Sequence, residues 1–556
     1  MHNNTFIARN SAFNPYRLWR KEIGFGTSVG SGDALARSLY CGMKPIASWD
    51  SEQSNCLPTG GVYNLEFSPE GSLLVAACEK KCIQIFDPLT HKKIHSVNGA
   101  HSDCVNCVKF LDGRMFATCS DDTTVALWDV RNLKKKIRTL LGHSSWVKNI
   151  EFSFKDKLLV TSGLEGSIYT WDINSYTEYN LIYQRVFHAS GLMRCRLSPD
   201  ARQMVMCTTG GLLIIIHDLN LATLAQHLHG FKPNLYRLMQ MSQQLIPIAA
   251  MYDHLFTASR KENRVEFVSD FPEGNDAKVV GSLQIHPQGW SALSRNISHD
   301  DRSEWSCIHD IQPYVDVSDK STRDTVPRRR VAVRRPRRLR ARLRPPRPMA
   351  TYTMATAPPA HTNSPSSANR MAREEDRDEL EPEPGPSNAR TEENEASPAG
   401  DARLGGVRKR IFFISALPST SGQTPSSDRA NTCEEVDDPQ LYIRQNRDRL
   451  LYYIEETNEG KGFIKELCYS ADGRLVCSPF GRGMRLLAIN QECSELSQCA
   501  RELRGARPMV DVGQCLGIHQ DLVVCSKFNP RYHMLVTGCL EGKIVWYEPY
   551  SGEALY

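Results

Sequence analysis

Apolar residues along this chain come in short runs of four to six, each ending at a turn rich in Gly, Asp, Ser or Pro. That is the pattern of short strands, since a helix would place its apolar positions three and four apart. The clearest unit begins with Val105-Asn-Cys-Val-Lys-Phe110, a first strand. Leu111-Asp-Gly113 turns the chain, and Arg114-Met-Phe-Ala-Thr-Cys119 makes a second strand. Asp121-Asp122-Thr-Thr is a polar turn, Val125-Ala-Leu-Trp128 a third strand, and Lys136-Ile-Arg-Thr-Leu140 a fourth. The unit recurs. Trp128-Asp129 and Trp171-Asp172 lie about 43 residues apart, and Ala100-His101 and Gly142-His143 about 42. Both spacings fit one four-stranded blade of about 40–45 residues.

More degenerate copies follow the same plan. The runs starting at Val62, Val147, Met193, Ile464 and Val523 lead to later strands at Ile83–Asp87, Ile168–Asp172, Ile214–Asp218, Met484–Leu487 and Ile544–Tyr547. A seventh unit is expected within 250–312, where Leu255-Phe-Thr-Ala-Ser259 and Arg264-Val-Glu-Phe-Val268 read as paired strands. The predicted fold is therefore all-β, a propeller of seven blades. The last unit stops after its third strand near Tyr547. Lys44-Pro-Ile-Ala-Ser-Trp49 stands where a fourth strand is needed, so the N-terminal segment is expected to close the ring and leave no open edge.

Composition refines this picture at a few places. The 556 residues are 40% hydrophobic and 24% charged, with a formal net charge of +5, enough apolar material for a large core and too little charge to name a partner. No apolar run approaches membrane-spanning length, and Met1-His-Asn-Asn-Thr-Phe6 has no signal core. The 18 cysteines are scattered through strand-like contexts. Cys104-Val-Asn-Cys107 has metal-like spacing, but no second pair follows and the run reads as a strand, so neither metal nor cofactor is expected. A reducing compartment, nucleus and cytoplasm, fits that cysteine usage.

The repeat pattern breaks over 313–436 and separates propeller parts at 44–312 and 437–556. The break opens with an Arg/Pro run through Arg347, passes through a Ser/Pro/Ala/Thr stretch, and becomes acidic from Glu374. Such a composition buries too little apolar surface to offset its ordering entropy, so a disordered insertion is expected. The arginines admit nuclear import, nucleic-acid contact or a plain solvated loop. They lack interleaved aromatics, and a nucleic-acid partner is not expected. In the N-terminal segment 1–43, Asn14 and Pro15 are a cap and first helical residue. Leu18, Trp19, Glu22 and Ile23 fall at helical spacing, and Gly24 ends the run. A helix over about 15–23 is too short to stand alone and has to dock.

The Trp-Asp units resemble WD40 repeats. In that family a His, a Ser/Thr, an Asp and a Trp form a hydrogen-bonded set inside a blade. The matching residues here are His101, Thr118, Asp122 and Trp128, then His143, Thr161, Glu165 and Trp171. The resemblance gives them a structural role, satisfying buried polar groups, in place of a catalytic one. No phosphate-binding loop, His-Glu-Xaa-Xaa-His or Gly-Xaa-Ser-Xaa-Gly motif occurs, and an enzyme is not expected. A second resemblance is more specific. Trp128-Asp129-Val130-Arg131, the stretch Phe13-Asn-Pro-Tyr-Arg-Leu-Trp19 and the span from His286 to Asp310 are similar to the cullin-4-associated substrate receptors. That resemblance implies a non-catalytic subunit that docks on the damaged-DNA-binding adaptor of a cullin-4 RING ubiquitin ligase and recruits protein substrates. It assigns the adaptor contact to Trp128, Asp129 and Arg131, with Leu18, Trp19 and Ile23 of the short helix. The alternative is a general WD40 scaffold in a nuclear or RNA-related complex.

Overall fold

The computed structural model describes residues 19, 22, 23, 31–51, 57–174, 183–269, 279–286, 288–296, 304–313, 443–456 and 465–549. The predicted insertion, with its arginine run, lies outside them.

Seven sheets are arranged as the blades of a propeller, antiparallel throughout except where Arg507–Pro508 adds a short parallel strand beside Leu450–Glu456. Blade 2 shows the rule: Val105–Phe110, Met115–Ser120, Val125–Asp129 and Arg138–Leu140 run from the centre outwards. Middle strands are apolar on both faces because neighbouring blades cover both. Leu74–Cys78 and Leu212–His217 are buried at every position. Outermost strands recover a polar side, as in Lys92–Val97 and Tyr183–His188. Period-two alternation is therefore weakest where the core is deepest.

The first strands ring the centre, and each junction carries a hydrogen bond. Asn64 accepts from Val108 N at 3.1 Å, Asn106 donates to Val147 O at 2.9 Å, and Asn149 to Met193 O at 3.4 Å. Arg196 donates to Leu283 O at 2.9 Å, and Ser282 accepts from Leu467 N at 3.1 Å. Ser526 donates to Glu466 O, and the Cys525 thiol to Val62 O, both at 3.1 Å. Inside the ring runs a belt of alternating charge. Lys527 meets Glu66 at 2.6 Å, Lys109 meets Glu151 at 3.3 Å, Arg196 meets Glu151 at 2.8 Å, and Arg194 meets Glu466 at 3.0 Å. Burial opposes ionisation of Glu66, yet Lys527 and Lys109 hold its carboxyl below the ordinary value. Glu66, Lys109, Glu151, Arg196, Glu466 and Lys527 line the central cavity, with Arg194 bonded to Glu466 from beside it.

The ring closes as expected. Met43–Trp49 pairs antiparallel with Ile544–Pro549, Met43 opposite Pro549 and Trp49 opposite Ile544. Aromatic rings seal this seam: Phe86 of blade 1 lies edge-on to Trp49 at 5.1 Å and to Trp546 at 5.6 Å. Gly538 permits the same close approach, because a Cβ there would sit 2.7 Å from Val62 Cγ1.

The structure corrects the reading of 250–312. Leu255–Ser259 is not a strand. Leu255 and Phe256 end a 3-10 turn, Asp253–Phe256, and Phe256 stacks on Tyr236 at 4.1 Å. They anchor a helical excursion, Leu221–His227, Pro233–Ser242 and Pro247–Ala250, between the third and fourth strands of blade 4. Arg264–Ser269 is that fourth strand and pairs with Leu212–His217. Blade 5 instead joins Val279–Ile285, Trp290–Asn296 and Glu304–Asp310 to Leu450–Glu456 from beyond the insertion. The break in pattern thus falls between two paired strands of one blade. In blade 6 the regular first strand shrinks to Cys468–Tyr469. The sequence reading also omitted a helix, α1 (Ser31–Cys41), whose Ala36 and Tyr40 pack in the blade 6–blade 7 core.

Candidate functional site

In blade 2, His101 lies in the loop before the first strand and Asp122 in the turn before the third. They meet at 3.0 Å, His101 Nδ1 to Asp122 Oδ2. A carboxylate only accepts, so Nδ1 carries the proton and Nε2 is left to accept. Thr118 Oγ1, 2.8 Å from Nε2, donates there and accepts from Trp128 Nε1 at 2.9 Å. The relay leaves each polar atom with a partner. Burial opposes ionisation of Asp122, but His101, Thr124 and the Ser102 N–H hold its carboxyl well below the carboxylate range. Blade 3 repeats the arrangement with His143, Glu165, Thr161 and Trp171 at 2.5, 2.7 and 2.7 Å. Burial there lowers the His143 imidazole against the pull of Glu165.

Blade 7 carries a variant that the sequence reading missed. His519 Nε2 is 2.8 Å from Thr537 Oγ1, which donates to Tyr547 OH at 3.4 Å. The spacing matches blade 3, but Tyr replaces Trp, so the Trp-Asp signal is absent.

The contact between His101 and Asp122 also defines the two faces. Loops entering first strands share one face with the turns entering third strands. Arg131 follows the third strand and therefore lies on the opposite face. Its peptide N–H donates to Asp129 Oδ1 at 2.9 Å, and Asp87 and Asp172 make the same turn in blades 1 and 3. Blade 1 places Leu89 at the equivalent position and blade 3 places Asn174. In blade 2 the guanidinium folds back on the same carboxylate, Nε to Oδ1 at 3.0 Å and Nη2 to Oδ2 at 2.6 Å. That fork brings the Asp129 carboxyl down to about 2. The Arg131 side chain is still 67% exposed, and Nη1 has no acceptor among the described residues. The neighbouring turn is fixed by Asp112, which accepts from Arg114 N and Met115 N, and by Val130 N donating to Arg114 O at 2.8 Å.

Of the residues the receptor signature groups together, Asp129 and Arg131 reach the surface. Trp128 is 2% exposed and belongs to the blade interior. In the N-terminal segment, Ile23 N donates to Trp19 O at 3.0 Å, one turn of helix, and both side chains are about half exposed. Leu18 lies outside the described residues. Cys107 is buried beside Cys119, whereas Cys104 precedes the strand. No helix among the described residues is long and apolar enough to cross a membrane.

Comparison with known proteins agrees with this architecture. Residues 52–87, 91–129 and 134–172 match the model described as WD domain, G-beta repeat. The chain is 31% identical over 534 residues to DDB1- and CUL4-associated factor 10 of Danio rerio, covering 92% of this chain and 78% of that protein. It is 31% identical over 562 residues to the Homo sapiens protein of the same name, covering 96% and 77%. A WD repeat-containing protein 55 homolog of Drosophila virilis is 27% identical over only 169 residues, 29% of this chain and 33% of that protein. Similarity that spans nearly the whole chain separates the first two from general repeat resemblance: this chain belongs to the DDB1- and CUL4-associated factor 10 family.

Proposed function

We propose that the chain is the substrate-receptor subunit of a cullin-4 RING ubiquitin ligase. It docks on the damaged-DNA-binding adaptor, presents target proteins, and itself transfers no ubiquitin. The observation that carries this reading is Arg131, a charged fork held at the surface by Asp129 at a turn where the adjoining blades place Leu89 and Asn174. A guanidinium already oriented loses little rotamer freedom when carboxylates or carbonyls of a partner meet its remaining N–H groups. The half-exposed Trp19 and Ile23 offer a compact apolar contact of the kind that anchors an interface. The relatives' name, which couples them to DDB1 and CUL4, supports the same assignment. Targets are received on the opposite face, where Trp146 is 50% exposed beside Leu164.

The test is affinity purification of the wild-type chain, Arg131→Ala and a deletion of residues 11–24. Wild type is expected to recover the adaptor and cullin, and both variants to lose most of it. A wild-type chain that recovers no adaptor, but retains nucleic acid through the 328–347 arginines, overturns the reading in favour of a general scaffold.

A further inference from the structure

Helix α1 reaches its last residue with little freedom left. Asp33 pairs with Arg474 and accepts from Ser494 Oγ at 3.4 Å. Arg474 also donates to Cys493 O at 2.9 Å and Glu495 Oε1 at 2.8 Å, while Arg37 lies 3.9 Å from Glu492. On the apolar side Tyr40 is 2% exposed and lies edge-on to Phe528 at 6.0 Å. These contacts present Cys41, at the helix end, to the blade 6 loop around Cys493.

The two cysteines differ in every respect that matters for thiol chemistry. Cys41 is the exposed member of the described cysteines, and Cys493 is fully buried. Cys493 has φ +54°, left-handed backbone that a cysteine rarely adopts, and its N–H is held by Asn490 O at 3.2 Å. The Arg37–Glu492, Asp33–Ser494 and Arg474–Cys493 contacts set the two thiols side by side, and their interaction favours the proton on Cys493. That interaction, with help from Arg37 and against burial, brings the Cys41 thiol down to about 7, which favours its thiolate. Cys493 is pushed up and stays protonated. An accessible thiolate beside a sheltered thiol is the arrangement of an attacking and a resolving cysteine.

We propose that Cys41 and Cys493 form a hydroperoxide-responsive dithiol whose disulfide latches helix α1 to blade 6. The Cys41 thiolate attacks one oxygen of the hydroperoxide, ROOH. The S–O bond forms, the O–O bond breaks, and the alkoxide leaves with the electron pair. It takes the Cys493 thiol proton and departs as ROH. The Cys493 thiolate then attacks the Cys41 sulfenic sulfur. The S–S bond forms, the S–O bond breaks, and hydroxide leaves, taking a solvent proton as water. Both sulfurs end oxidised and the peroxide reduced. The consequence follows from position, since Cys41 stands two residues before Met43, the start of the closing strand Met43–Trp49. The disulfide encloses residues 41–493 and adds a covalent tie to a ring otherwise closed by strand pairing and side-chain packing at its seam. Stabilisation from such a crosslink grows with the enclosed length in the chain-entropy account. The proposal is independent of the ligase reading.

Purified full-length chain is treated with hydrogen peroxide, alkylated and mapped without reduction. The expected product is a peptide pair joined at Cys41 and Cys493, with a thermal midpoint raised by roughly several degrees and restored by dithiothreitol. Cys493→Ser should instead accumulate Cys41 sulfenic acid, trapped by dimedone, with no midpoint gain. Cys41→Ser, at an exposed position, should keep the wild-type circular dichroism and show neither crosslink nor gain. Sulfenic or higher acids accumulating at Cys41 in the wild type without the Cys493 crosslink would overturn the proposal. So would a midpoint gain that persists in Cys41→Ser.

Discussion

Thr118 holds the blade 2 relay together through one oxygen, so Thr118→Val tests the relay with almost no change of shape. Thr118 is fully buried, and its hydroxyl serves Trp128 Nε1 at 2.9 Å and His101 Nε2 at 2.8 Å. Valine removes both contacts and leaves a buried indole N–H and a buried imidazole nitrogen without partners. Each orphaned group costs about 1–3 kcal/mol, and the added methyl group returns only a fraction, so a net loss of about 2–4 kcal/mol is expected. That corresponds to roughly a thirty- to thousand-fold fall in local protection. Hydrogen exchange read by mass spectrometry is the suitable assay, because it reports local opening blade by blade. The fall should concentrate in peptides covering Met115–Ser120 and Val125–Asp129. Thr118→Ser keeps the hydroxyl and should lose much less. A Thr118→Val protein with under threefold change in those peptides, or with an equal change in blade 5, would refute the relay as a stabilising device.

Further predictions follow from neighbouring geometry. Asp129→Ala frees the Arg131 guanidinium without removing its charge, so adaptor recovery should fall by less than in Arg131→Ala; equal losses would mean that Asp129 contacts the partner directly. Arg131→Lys should also weaken recovery, since an ammonium cannot reproduce the planar fork. Glu266 accepts from Arg449 at 2.9 and 3.0 Å and faces His217 at 2.9 Å. Burial would raise its carboxyl, but His217 and Arg449 bring it down to about 2. A depressed carboxylate contributes stability that is full above its ordinary value near 4.5 and lost as pH falls through about 2. Acid unfolding of Glu266→Gln should accordingly depend less steeply on pH across that window, and an unchanged slope would count against the assignment. Trp49→Ala opens the seam at Phe86 and should cost about 3–5 kcal/mol, seen as accelerated exchange in Met43–Trp49 and Ile544–Pro549.

What the sequence by itself determined were the features that repeat or resemble. Recurrence of Trp-Asp at one blade's length announced the propeller, and the strand-like run Lys44–Trp49 ahead of the first unit marked the strand that pairs with Ile544–Pro549. His101, Thr118, Asp122 and Trp128 could be named through the resemblance to WD40 repeats, and the structure brings them together. Local pattern failed where the partner is remote. Leu255 and Phe256 look like strand residues because they are apolar and adjacent, but burial under a helical excursion satisfies the same hydrophobicity without a sheet. Blade 5 takes its fourth strand from beyond the insertion, and Leu450–Glu456 has no local mark of its pairing with Glu304–Asp310. The Glu66–Lys527 pair joins blades 1 and 7, so only ring closure makes those two neighbours, whereas Glu151 and Arg196 meet across the consecutive blades 3 and 4. Tertiary structure likewise separated the receptor signature into its parts. The resemblance groups Trp128, Asp129 and Arg131 as equals, whereas the strand's end turns Trp128 into the core and leaves Asp129 to hold Arg131 at the surface. Side-chain direction at a strand terminus depends on what covers each face, and that is decided by the neighbouring blades.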